Sequence, residues 1–113
     1  MVILASYSIL YGMKELEEEL YLKEQDSGKS YKIKKNGFVT LELNRKSVDQ
    51  IWRHDLDGNY HYSKSIKVIN EEEAVIIYIT QILKEDSVLK FTLCNKLDLC
   101  KTIYKELFFN IKT

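Results

Sequence analysis

The sequence predicts an α+β domain: an antiparallel sheet of about four to five strands packed against two or three helices, in the order α-β-β-β-β-α-β-α. Three observations carry this expectation. Apolar residues recur at helical spacing behind an Asn-capped acidic turn at 70–85, alternating apolar and polar stretches flank Asn-Gly and Asp-Gly pairs, and these segments come in blocks without βαβ alternation.

The first helix is expected over Ser8 to Lys23, where Ile9, Met13, Leu16 and Leu20 repeat at helical intervals and Gly12 is the weak point. Glu15, Glu17, Glu18 and Glu19 fall between them, as the solvated face of the helix or as an acidic surface for a basic partner. Gln25 to Lys29 reads as a loop. Tyr31 and Ile33, then Val39, Leu41 and Leu43, alternate as two strands about Asn36-Gly37. A two-residue turn would mix their charged and apolar faces. A three-residue loop with Gly37 left-handed pairs Ile33 with Val39 and Tyr31 with Leu41, so that the faces agree. Lys32 and Lys34 occupy the opposite face, with Lys29 and Lys35 at its ends. They are a candidate contact for phosphate, as in RNA, or a means of blunting a sheet edge.

The densest chemistry lies in Trp52 to Tyr62, which holds the single tryptophan and both histidines. A hairpin closed by Asp57-Gly58 sets Asp55 against Tyr60, His54 against His61 and Arg53 against Tyr62, making the imidazoles cross-strand neighbours. Ser47 with Gln50 offers a competing reading, a capping box opening a short helix through Trp52. Asn70 followed by Glu71, Glu72 and Glu73 predicts a helix N-terminus, with Val75, Ile76, Ile79, Ile82 and Leu83 as the buried stripe to about Glu85. Val88 to Cys94 reads as a strand. A last helix is expected from Leu97 to Ile111, buried through Cys100, Tyr104, Leu107, Phe108 and Ile111, with Phe109 left as an exposed contact.

A chain of 113 residues with 45% apolar side chains is one domain, 1–113, able to bury a core without staples. Its 17 basic and 17 acidic residues cancel, so overall charge gives no reason to expect nucleic acid or a membrane surface as partner. Cys94 and Cys100 read as reduced, buried thiols of a cytoplasmic protein. Met1 to Ala5 is apolar, but no basic residue precedes it and Ser6, Tyr7 and Ser8 interrupt it, so neither a signal peptide nor a membrane span is expected. The absence of proline and the scarcity of alanine suggest an AT-rich gene, such as one from a bacterial accessory element.

No glycine-rich phosphate loop, nucleophile elbow or paired-cysteine metal site is present. His54, Asp55, Asp57 and His61 supply metal-ligand atoms, but in the hairpin register Asp55 points away from the histidines, which leaves Asp57 as the third ligand at most. The segment is also no calcium loop, because aligning Gly58 with the loop glycine puts Arg53 and Lys64 where acids are required. The leading expectation is therefore a small non-enzymatic protein-binding module without metal or cofactor: an inhibitor, immunity protein or adaptor of a bacterial or phage system, whose partner is another protein such as a toxin or enzyme. Its expected contact residues are Trp52, Arg53, His54, Asp55, Asp57, Tyr60, His61 and Tyr62, residue types enriched at interface hot spots. The alternative is a small nuclease or metal-dependent hydrolase using His54 and His61. The third is RNA binding through the Lys29–Lys35 hairpin.

Overall fold

In a computed structural model, which describes residues 18–56 and 60–113, the chain forms two packed four-stranded sheets. The strands are β1 (Glu19–Lys23), β2 (Ser30–Lys32), β3 (Phe38–Arg45), β4 (Gln50–His54), β5 (His61–Val68), β6 (Ala74–Gln81), β7 (Asp86–Asn95) and β8 (Ile103–Lys112). One sheet has the order β1-β3-β6-β5 and the other β2-β8-β7-β4. This is the arrangement of an immunoglobulin-type sandwich whose first strand is split, β1 joining one sheet and β2 the other. Both split pieces pair in parallel, β1 with β3 and β2 with β8. Glu24 ties this corner together: its carboxylate accepts from the Asn44 N–H at 2.8 Å and from the Lys105 ammonium at 2.8 Å, linking β3 to β8.

The predicted α+β class is thus corrected. Among the described residues there is no α-helix, only a 3-10 turn at Glu24–Asp26. The segment expected as the central helix is β6, in which Ala74, Ile76, Tyr78 and Thr80 are buried in strict alternation. β-branched residues dominate it, and their stiff side chains fit a pleated surface better than a helix. Asn70 does cap backbone, its Oδ1 accepting from the Glu72 and Glu73 N–H groups at 2.8 Å each, but what it closes is the β5–β6 turn. The last predicted helix is β8. There Leu107, Phe109 and Ile111 face the core with period two, so Phe109 is fully buried and Phe108 exposed, the reverse of the helical expectation. Of the first predicted helix only its end is described, and Glu19–Lys23 is a strand. The strand expected at Val88 to Cys94 lies within β7.

Both predicted hairpins are corrected too. Ile33, Val39, Leu41 and Leu43 are all buried as their alternation requires, but β2 and β3 belong to different sheets, so residues 33–37 cross the sandwich and do not turn a hairpin. In that crossing the Gly37 N–H donates to the Lys34 carbonyl and Asn36, not Gly37, is left-handed (φ 69°), as position three of a type II turn demands. Gly37 is needed for space: a Cβ there would sit 2.7 Å from the carbonyl oxygens of Glu18 and Lys34. Likewise β4 pairs with β7 and β5 with β6, which sets His54 against Phe91 and His61 against Gln81. The histidines are therefore not cross-strand partners. A turn signal between two strand-like runs does not distinguish a hairpin from a crossing between sheets.

Candidate functional site: the three-loop end

Strand direction brings three connections to one end of the sandwich. Arg45, Ala74 and Val68 are register neighbours where β3, β6 and β5 meet their loops, and Gln50, Asn95 and Ile103 mark the same end of the second sheet. The connections β3–β4 (46–49), β5–β6 (69–73) and β7–β8 (96–102) consequently lie together, as binding loops do at one end of other immunoglobulin-type sandwiches.

Each loop is closed by its own polar side chains. In the β3–β4 loop, Ser47 Oγ accepts from Asp49 N–H at 3.2 Å and Gln50 Oε1 from Lys46 N–H at 3.0 Å. That closes a turn where the capping-box reading expected a helix. In the β7–β8 loop, Asn95 Oδ1 accepts from Leu97 N–H at 2.8 Å, while Asp98 accepts from the Lys101 and Thr102 N–H groups and from the Thr102 hydroxyl. These donors hold the Asp98 carboxyl below its usual range, the Thr102 hydroxyl foremost. Cys94 and Cys100 close the same loop with a disulfide, their Cα atoms 4.9 Å apart, which corrects the expectation of free thiols. Leu99 and Cys100 are both left-handed (φ 59° and 63°), a conformation that costs an L-residue about 1–2 kcal/mol.

The loops are also tied to one another. Glu72 Oε2 accepts from Val48 N–H at 3.1 Å, its carbonyl accepts from Arg45 Nε at 3.4 Å, and Lys96 N–H donates to the Asp49 carbonyl at 2.7 Å. With the backbone so occupied, the apolar side chains of these loops point outward: Leu97 is 72% exposed and Leu99 83%, and Val48 and Ile69 are exposed beside them. Loops rarely present so many large aliphatic groups without a partner to cover them.

The contact residues expected from sequence are scattered by comparison. Trp52 is 4% exposed and donates from Nε1 to the Asn44 carbonyl at 2.9 Å, which makes it part of the core. Buried tryptophan on this strand is a hallmark of the sandwich. Tyr60 packs against the core, Arg53, Asp55 and His61 are exposed, and Asp57 lies outside the described residues. His54 is wedged edge-on between aromatic rings, 4.9 Å from Tyr62, 5.3 Å from Tyr78 and 6.2 Å from Phe91. Its Nδ1 accepts from the Leu56 N–H at 3.2 Å, so the imidazole is neutral. Burial, then the Lys64 charge, lowers its pKa against a smaller upward pull from Asp55. Burial likewise pushes the Tyr78 hydroxyl up to about 12.

Lys29 and Lys32 lie exposed at or beside the edge strand β2, and Lys34 pairs with Glu18 at 3.2 Å. Of the acidic run, Glu15 and Glu17 lie outside the described residues. Among the described residues no three metal-ligating side chains converge, and no helix is long and apolar enough to cross a membrane. Sequence reasoning missed Val48, Ile69, Leu97 and Leu99. The last two fall within the helix expected from Leu97 to Ile111, although turn-forming Asn95 and Asp98 between two cysteines signal a closed loop.

No family model and no curated protein matches the chain. Solved structures similar in fold include EhICP2 and amebosin. The cysteine protease inhibitor EhICP2 from Entamoeba histolytica superposes with a TM-score of 0.67 at 12% identity, over 83% of this chain and 93% of its own. Amebosin, a solution structure, superposes with a TM-score of 0.57 at 12% identity, over 83% of this chain and 96% of its own. At that identity what is shared is the sandwich.

Proposed function

We propose that this protein binds another protein through its three-loop end and acts there as an inhibitor of a cysteine protease. The observation that carries this reading is the cluster of outward Val48, Ile69, Leu97 and Leu99 on loops cross-tied by Glu72, Arg45 and Asp49. A preformed apolar projection loses little entropy on binding, which suits insertion into a cleft. The likeness to EhICP2 supports the choice of partner class. The Cys94–Cys100 bond favours an oxidising compartment over the cytoplasm, since such bonds persist where thiols are not kept reduced. The bacterial or phage setting gains no support from the fold.

The cross-strand register that the histidine-pair enzyme reading relied on is not formed, since His54 pairs with Phe91 in one sheet and His61 with Gln81 in the other. The test is titration of the protein against a panel of cysteine peptidases, with serine and aspartic peptidases as controls. Inhibition of a cysteine peptidase that weakens at least tenfold in the Leu97→Ala, Leu99→Ala variant is the expected result. Absence of inhibition across the cysteine panel overturns the inhibitor assignment.

A further inference from the structure

β5 and β4 are edge strands of the two sheets, and they meet on one side of the sandwich. Near the start of β5 the Tyr62 ring meets His54 at 4.9 Å and seals the gap. Ile66 and Val68 stand opposite Ile76 and Ala74, both buried, and so share the inward face of the sheet, yet they are 53% and 67% exposed. Residues that face inward without being covered line a groove.

That groove has a volume of about 150 Å³, with Trp52, Ile66 and Ile76 providing apolar surface and Arg45, Lys64 and Lys96 providing the charge. None of its lining residues is acidic. Among the described residues, none of the three cations forms an ion pair with a carboxylate. Glu72, whose carbonyl meets Arg45, turns its carboxylate to the Val48 N–H instead. The outer edge of β5 is unpaired over eight exposed residues, and it runs along the groove.

We infer that this groove binds an extended acidic peptide segment of another protein, added as a strand to β5. An edge strand offers alternate N–H and C=O groups for main-chain bonds, while side chains of the added strand reach inward at every second position. Beside β5 those inward positions fall next to Lys64 and Ile66, so acidic and apolar residues alternating on the groove face match the wall. A polyanion without apolar groups would leave the exposed Ile66 and Val68 uncovered, which is why a peptide fits and a nucleic acid does not. The site requires no protease at the loop end, although Val48 and Lys96 border both surfaces.

The probe is a capped octapeptide of alternating glutamate and valine, titrated into the isotopically labelled protein and followed by amide chemical shifts. The expected result is saturable shifts along β5 and at the Trp52 indole N–H, weakened as salt is raised. The Lys64→Glu, Lys96→Glu variant, at exposed positions and with an unchanged circular dichroism spectrum, should weaken binding about tenfold or more. Ile66→Asp tests the apolar wall separately. Shifts absent at millimolar peptide, binding retained by the charge-reversed variant, equal binding of a lysine–valine octapeptide, or preferential binding of a short oligothymidylate would each overturn the inference.

Discussion

The two ends of the sandwich differ in what supplements their main-chain hydrogen bonds and in where they turn their aliphatic side chains. At the end formed by residues 33–37 and 82–85, main chain bonds main chain: Asn36 N–H to the Ile82 carbonyl, Ile82 N–H to the Gly37 carbonyl and Thr113 N–H to the Glu85 carbonyl, each at 2.9 Å. Ile33 and Ile82 are fully buried there. At the three-loop end main-chain bonds form as well, Lys96 N–H to the Asp49 carbonyl among them, but the side chains of Asn70, Asp98, Asn95, Gln50 and Glu72 also accept from loop N–H groups, and the aliphatic residues are turned out. Side-chain capping added to backbone bonding holds a loop still while its apolar groups face water. The first end stabilises the fold and the second presents a surface.

The largest effect that sharpens this contrast belongs to the core between the ends. Trp52→Ala should destabilise the protein by about 3–5 kcal/mol, measured by urea unfolding, because it opens a cavity and strands the Asn44 carbonyl. Gly37→Ala at the closed end should cost about 1–3 kcal/mol without altering partner affinity in the folded fraction, since its Cβ meets backbone that cannot give way. Replacing both cysteines, Cys94→Ala with Cys100→Ser, should cost about 2 kcal/mol in thermal unfolding and also weaken binding, because the loop it releases is the presenting one. Leu99→Gly should do the opposite to stability, raising it by up to about 1 kcal/mol as left-handed strain is relieved, while binding falls. A loop that served only structure would not show that split.

The smallest effect is on pH dependence. The His54 pKa is lowered in the folded state, so the unfolded chain takes up the proton first as pH falls. The stability contributed by neutral His54 is complete above the ordinary histidine value of about 6.5 and is lost as pH drops through the folded value. Stability should therefore decline on acidification below about pH 6.5, and His54→Phe should flatten that part of the profile.

What could be read in the sequence was the apolar alternation of residues 33–43 and 88–94 and the capping chemistry of Asn70. These are local: a period of two or an Asx acceptor acts within a few residues whatever the wider fold. What could not be read was long-range. Val75 to Ile82 is apolar on so many positions that helical and strand periods both fit, and only burial between two sheets selects the strand. The Asp57-Gly58 signal was equally compatible with a hairpin and with a crossing from β4 to β5, and the candidate site was hidden because its residues come together only through the pairing of distant strands.

The most direct test of the presenting end compares two double variants in the same inhibition assay against the peptidase most sensitive to the wild-type protein. Leu97→Asp, Leu99→Asp alters the exposed loop, and Arg53→Glu, His61→Ala alters exposed polar side chains of β4 and β5. The first should raise the inhibition constant by about a hundredfold or more, as hot-spot losses of about 3 kcal/mol do, and the second should leave it unchanged. A loss confined to the second variant, with the first still inhibiting fully, would contradict a binding role for the three-loop end.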